Sequence, residues 1–213
     1  MRDPKVEAAV DAVYLAFASE RRPASIDTCP CCFNDGDVCA LLEKQLRELT
    51  GDELSSYAES VFLTAGGPKD FHYFLPRILD LVVHPSGVAT IAVEIALGKL
   101  TRAAWTTWPA NEREAVLRLF DAVMRADVDD SPLDRWLCGI ALAGCDPLPH
   151  LERLLEPGRE SALLHIYEEN SIPLQRKQLS SSFWSDVPEA RDKVVAWFLS
   201  SRIEAKITQA YGL

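Results

Sequence analysis

Val88 to Leu100, VATIAVEIALGKL, is the stretch whose reading decides the fold. Val88, Ala89, Ile91, Ala92, Val93, Ile95, Ala96, Leu97 and Leu100 fall on every side of a helical projection. A surface helix carries one apolar stripe, whereas a helix apolar all round has neighbours on every side. The β-branched residues also suit a buried strand, but the run outlasts an ordinary strand. The spacing predicts an enclosed helix over 88–100, with the other helices laid around it in pairs.

On the N-terminal side, Asp3 and Pro4 form a helix start, a capping side chain followed by proline at the first helical position. Val6, Ala9, Val10, Val13, Tyr14 and Phe17 continue it at helical spacing to about Glu20. Residues 21–37, with Pro23, Pro30 and Gly36, read as a cysteine-rich loop. A helix from about Val38 carries Leu41, Leu42, Leu46 and Leu49. Another, capped by Thr50 or Asp52, carries Leu54, Tyr57, Ala58, Val61 and Phe62, and Gly66, Gly67 and Pro68 end it. Asp70 opens DFHYFLPRILDLVV, where Pro76 is expected to kink or shorten the helix.

On the C-terminal side, Pro109 begins a helix through Val116, Phe120 and Met124. The acidic stretch Asp127, Asp129 and Asp130 leads to Ser131, Pro132 and Asp134, a cap for the helix of Leu133, Trp136, Leu137 and Ile140. The acidic stretch lacks the glycine and glutamate positions of an EF-hand loop. Shorter helices are expected over 148–155 and 161–170, then an irregular loop at 171–186. The region 188–211 is one helix or two, with Ser201 and Glu204 as a capping box if it breaks. The expectation is an all-α chain of about ten helices in antiparallel pairs. A single domain over 1–213 is read, as a HEAT-like stack or an irregular helical bundle.

Composition narrows the partners. The chain has 213 residues, 48% hydrophobic, and a formal net charge of −10. That suffices for a large core, and no Lys/Arg cluster offers itself to phosphates. Nucleic acid and anionic membrane are poor partners for it. No run reaches the roughly 20 apolar residues that span a bilayer. Asp3, Glu7 and Asp11 interrupt the place of a signal peptide's apolar segment. The expected location is cytoplasmic.

Of six cysteines, Cys29, Cys31, Cys32 and Cys39 sit together in CPCCFNDGDVC. Cys29 and Cys32 have the C-x-x-C spacing of a zinc-binding turn, Cys39 is a third candidate, and Cys31, a further candidate, is crowded in sequence for a place in the same site. His72 or His84 is a candidate fourth ligand. Two other readings stay open: thiol redox chemistry, which lacks the strand that usually precedes such a motif, and reduced thiols that pack the loop. Cys138 and Cys145 read as core cysteines.

A second set of residues has the character of a ligand pocket. His72, Tyr73 and Arg77 lie on the Asp70 helix, Glu94 is the acid of the 88–100 stretch, and Trp105 and Trp108 follow. Aromatic walls with a few polar groups typify small-molecule sites. The competing reading makes Asp70 a cap, Arg77 an ion-pair partner, the tryptophans core and Glu94 a carboxylate neutralised by Arg77, Lys99 or Arg102. No G-x-S-x-G, H-E-x-x-H, P-loop or dinucleotide fingerprint occurs, and no residue is assigned to catalysis.

The residues Cys29 to Cys32, Asp70 to Leu81 and Trp105 to Glu112 resemble a family of uncharacterised bacterial all-helical proteins. The resemblance extends over roughly Cys29 to Leu119. It implies a helical bacterial protein and brings no activity and no catalytic residue. The functional expectation is a helical scaffold that binds protein, with Phe183 and Trp184 as exposed contacts and zinc at the cysteines. The alternative is an enzyme or small-molecule sensor with a pocket between the 70–82 helix and the Trp105–Trp108 turn.

Overall fold

In the computed structural model, the stretch that reads as one helix splits in two. The structure describes residues 3–33, 35–126 and 133–212, so the acidic stretch and its Ser131–Pro132 cap lie outside the described residues. Among these, eleven helices and no strands are found. The chain falls into two compact units, Met1–Val123 and Met124–Leu213.

The first unit holds α1 (Pro4–Ala16), α2 (Asp35–Glu43), α3 (Gly51–Ser60), α4 (Pro68–Val83), α5 (Val93–Arg102) and all but the last residues of α6 (Ala110–Arg125). Its centre is α4, against which α1, α3 and α5 all pack. Phe71, Phe74, Leu75, Pro76, Ile78, Leu79 and Leu81 are buried along it. Pro76 neither ends the helix nor confines it to one turn: α4 runs on to Val83. Burial of the proline among apolar neighbours outweighs the lost N–H, a tertiary gain that local propensity does not contain.

The expected axle at 88–100 needs correction. Helix α5 begins at Val93, and Val88 is 95% exposed. Asp52 Oδ1 accepts the N–H groups of Val88 at 3.0 Å and Ala89 at 2.6 Å, and Gly51 N–H donates to Ser86 O at 2.9 Å. These bonds satisfy the backbone in an extended path and remove its need for helix. Lys99, on the buried part of α5, donates to Glu59 O and Val61 O at 2.7 and 2.9 Å, and burial pushes its ammonium pKa down.

Local signals work elsewhere in this unit. Asp3 accepts Lys5 N–H at 2.7 Å ahead of Pro4, and Thr50 with Glu53 forms a reciprocal capping box. A polar seam joins α1 to α4: Tyr14 O–H donates to Asp80 Oδ2 at 2.9 Å, Arg77 pairs with the same carboxylate, and His84 Nδ1 lies 3.2 Å from Asp80 Oδ1. Burial, then the Asp80 charge, holds the Tyr14 hydroxyl above the ordinary phenol range.

The second unit carries the end of α6, then α7 (Leu133–Leu142), α8 (Leu148–Arg153), α9 (Glu160–Leu174), α10 (Pro188–Phe198) and α11 (Ser201–Ala210). Arg159 donates to Met124 O at 2.9 Å and Arg125 O at 2.7 Å, a cation on the carbonyl end of a helix. The 188–211 region does break, but Ser200 is the cap and its side chain makes no capping bond, so the expected Ser201–Glu204 box is absent. The expected irregular loop at 171–186 begins as the end of α9 and closes as a tight 3-10 turn over Ser182–Asp186. Trp184 is 1% exposed rather than a surface contact. Its Nε1 donates to Asp134 Oδ1 at 3.1 Å, and Ser181 N–H donates to Asp134 Oδ2 at 2.9 Å. Asn170, also buried, accepts Ser180 N–H at 2.8 Å and donates to Ile166 O at 2.9 Å.

Two outcomes follow. A Cβ on Gly51 would fall inside the carbonyl oxygens of Ser86 and Ala89, both backbone atoms, so Gly51→Ala is expected to lower unfolding stability by about 2–3 kcal/mol in urea titration. Asp134→Ala leaves a buried indole N–H and a loop amide without their acceptor. It is expected to cost about 3 kcal/mol and to be non-additive with Trp184→Phe in a double-mutant cycle.

Candidate metal centre

The CPCC turn is exposed but anchored at both sides. Ile26 and Phe33 are buried, while Cys31 and Cys32 between them are exposed. Cys29 N–H donates to Thr64 O at 2.8 Å, and Gly66 N–H donates to Asp27 O at 2.7 Å. Cys29 O in turn accepts Cys32 N–H at 2.9 Å, which closes a four-residue turn with Pro30 at its second position, where the fixed φ of proline fits.

That turn brings three thiols together. Cys29 Sγ lies 2.7 Å from Cys31 Sγ, Cys31 Sγ lies 3.7 Å from Cys32 Sγ, and all three sulfurs fall within 4.8 Å of one another. Thiolates at about 2.3 Å around a tetrahedral ion stand about 3.8 Å apart. The Cys31–Cys32 spacing already meets this, and Cys29 must open from Cys31 by about 1 Å. This three-cysteine cluster can hold a metal ion. Hydrogen bonding from Cys31, foremost, holds the Cys29 thiol below the usual thiol range, and the same bond pushes the Cys31 pKa up to about 11. Cys29 therefore becomes a thiolate ahead of Cys31.

Cys39 stands apart. It is exposed on α2, hydrogen-bonded to Glu43, which raises its pKa, and it is not one of the three clustered thiols. Neither candidate histidine reaches the turn's cluster. His84 Nε2 lies 2.8 Å from Glu7 Oε1, and His72 lies between Glu20 and Glu112. Cys138 is fully buried, and burial raises the pKa of Cys145.

The six expected pocket residues are only partly assembled. His72 and Trp108 meet, ring centroids 4.4 Å apart at 64°, with Phe17 5.0 Å from His72. Tyr73 accepts a 3.4 Å bond from Arg22 and packs edge-on against Phe74. Arg77 donates to Leu49 O at 2.7 Å besides pairing with Asp80. Glu94 is buried in the first turn of α5, and Trp105 is buried 6.3 Å from the Phe120 ring. Sequence reasoning missed Glu20 and Glu112, which no local motif marks.

Fold and site together define an all-helical protein bearing an open three-thiol turn. Comparison of the chain with protein-family models, with curated proteins and with solved structures finds no match.

The thiol acidities give a direct check. Brief iodoacetamide treatment of metal-free protein near neutral pH, read by peptide mass mapping, is expected to alkylate Cys29 ahead of Cys31 and Cys39. As pH falls, Cys29 labelling should persist longest, because a lowered pKa keeps its thiolate populated. Labelling of Cys31 first would reverse the assigned order.

Proposed function

We propose that this protein is a helical scaffold for binding another protein, with one zinc ion held at the CPCC turn by Cys29, Cys31 and Cys32. The observation that carries the metal is the convergence of three exposed or half-exposed sulfurs within 4.8 Å on a single anchored turn. Soft thiolates select zinc over calcium or magnesium. Three protein thiolates leave one position for water or for a donor that a partner brings, whereas an internal structural site closes all four.

The scaffold half of the proposal is supported by helices with short connectors, which we read as HEAT-like antiparallel pairs presenting a docking surface. The net charge of −10 argues against nucleic acid and anionic membrane as partners. Among the described residues no helix is long and apolar enough to cross a membrane. The enzyme or sensor reading draws no support from a common pocket, since Tyr73 and Arg77 are committed to Arg22, Leu49 and Asp80.

Elemental analysis of protein purified without chelator or affinity metal tests the zinc. One zinc per chain is expected, falling to near none in Cys29→Ser/Cys32→Ser. Absence of zinc from the parent chain removes the metal, and unchanged zinc in the variant places it elsewhere. For the scaffold, a protein co-purifying with the parent chain and lost with that variant is expected.

A further inference from the structure

A second donor set lies elsewhere in the first unit. Glu20, just beyond α1, His72 on α4 and Glu112 in the first turn of α6 place their ligand atoms within 4.8 Å of one another. His72 Nδ1 is 3.1 Å from Glu20 Oε2, and its Nε2 is 2.8 Å from Glu112 Oε2. A neutral imidazole carries one N–H, so it can donate to only one of two flanking carboxylates, and the other then faces a lone pair. Neither carboxylate has a Lys or Arg ion pair among the described residues. The Glu112 side chain is 4% exposed and that of His72 16%. Two negative charges around a neutral ring, one of them buried, are costly without a cation between them.

We propose that the cation is a divalent first-row metal ion, of the manganese-to-cobalt range, bound by one ring nitrogen of His72 and a carboxylate oxygen each from Glu20 and Glu112. Nitrogen and oxygen donors suit that range, in contrast to the sulfur donors of the CPCC turn, so the two sites take different metals. The imidazole is aimed by its edge contacts with Phe17 at 5.0 Å and Trp108 at 4.4 Å, which leave little freedom to the ring. Ligands around such an ion stand about 3 Å apart; Glu112 already stands so from Nε2, and Glu20, which faces Nδ1 and whose side chain is 32% exposed, is the arm that swings to the same ion. Positions not filled by protein face solvent on the Glu20 side and take water or an oxygen ligand. This site is independent of the zinc reading above.

The test uses the full chain with Cys29, Cys31 and Cys32 changed to Ser, so that thiols cannot answer for the metal. In that chain, substoichiometric Mn2+ is expected to broaden the ring-proton NMR signals of His72 selectively among the four histidines. Co2+ is expected to bind at one ion per chain, with weak visible absorption and no thiolate charge-transfer band. Glu112→Gln and Glu20→Gln should each weaken Co2+ binding at least tenfold. Glu20→Gln, being half-exposed, serves if the buried variant fails to fold, and the Mn2+ experiment needs no change at the site. Broadening spread evenly over the histidines, or no broadening, overturns the proposal. So does a His72 ring protonated on both nitrogens and unchanged by either ion, which would make the cation a proton.

Discussion

The first unit depends on the burial of one face of α4. Phe71, Phe74, Leu75, Ile78 and Leu79 are almost wholly withdrawn from water, and each contributes about 1.5–3 kcal/mol relative to exposure. That is enough to carry a proline through the middle of the helix. It also fixes where the helix presents its polar residues: Arg77, Asp80 and His84 toward α1, and His72 toward Glu20 and Glu112. The apolar face is what gives those polar contacts their geometry, since none of them would hold a flexible helix in place alone.

The two donor sets are built on different principles. The sulfur set is local: three cysteines within four residues, on a turn shaped by Pro30 and pinned by Ile26 and Phe33. The nitrogen–oxygen set is assembled from the end of α1, the middle of α4 and the start of α6, and exists only once those helices have packed. Cys29 owes its lowered pKa first to the neighbouring Cys31 thiol rather than to a lysine or a helix end.

This difference explains what was legible beforehand. Helical class, the Asp3 and Thr50 caps and the cysteine turn are written in residues a few positions apart, and all can be read directly. The extended path of residues 88–92 cannot, because the carboxylate that accepts its N–H groups sits 36 positions upstream. Trp184 reads as a surface aromatic until Asp134, 50 residues away, is brought against its indole nitrogen. His72 and Trp108 stand out in the sequence, but Glu20 and Glu112 look like ordinary helix-terminal acids until the helices meet. Cys39 shows the converse, since nearness in sequence suggests a ligand that α2 directs to Glu43 instead.

The Asp52 anchor gives the segment from His84 to Ala92 an unusual constraint. Surface connections ordinarily absorb inserted or deleted residues with little harm. Here the amides of Val88 and Ala89 must arrive at one carboxylate while Ser86 O meets Gly51 N–H, so the spacing between α4 and that carboxylate is set to the residue. Among natural variants of this chain, length changes should therefore accumulate in other connections and spare this one, however exposed it is.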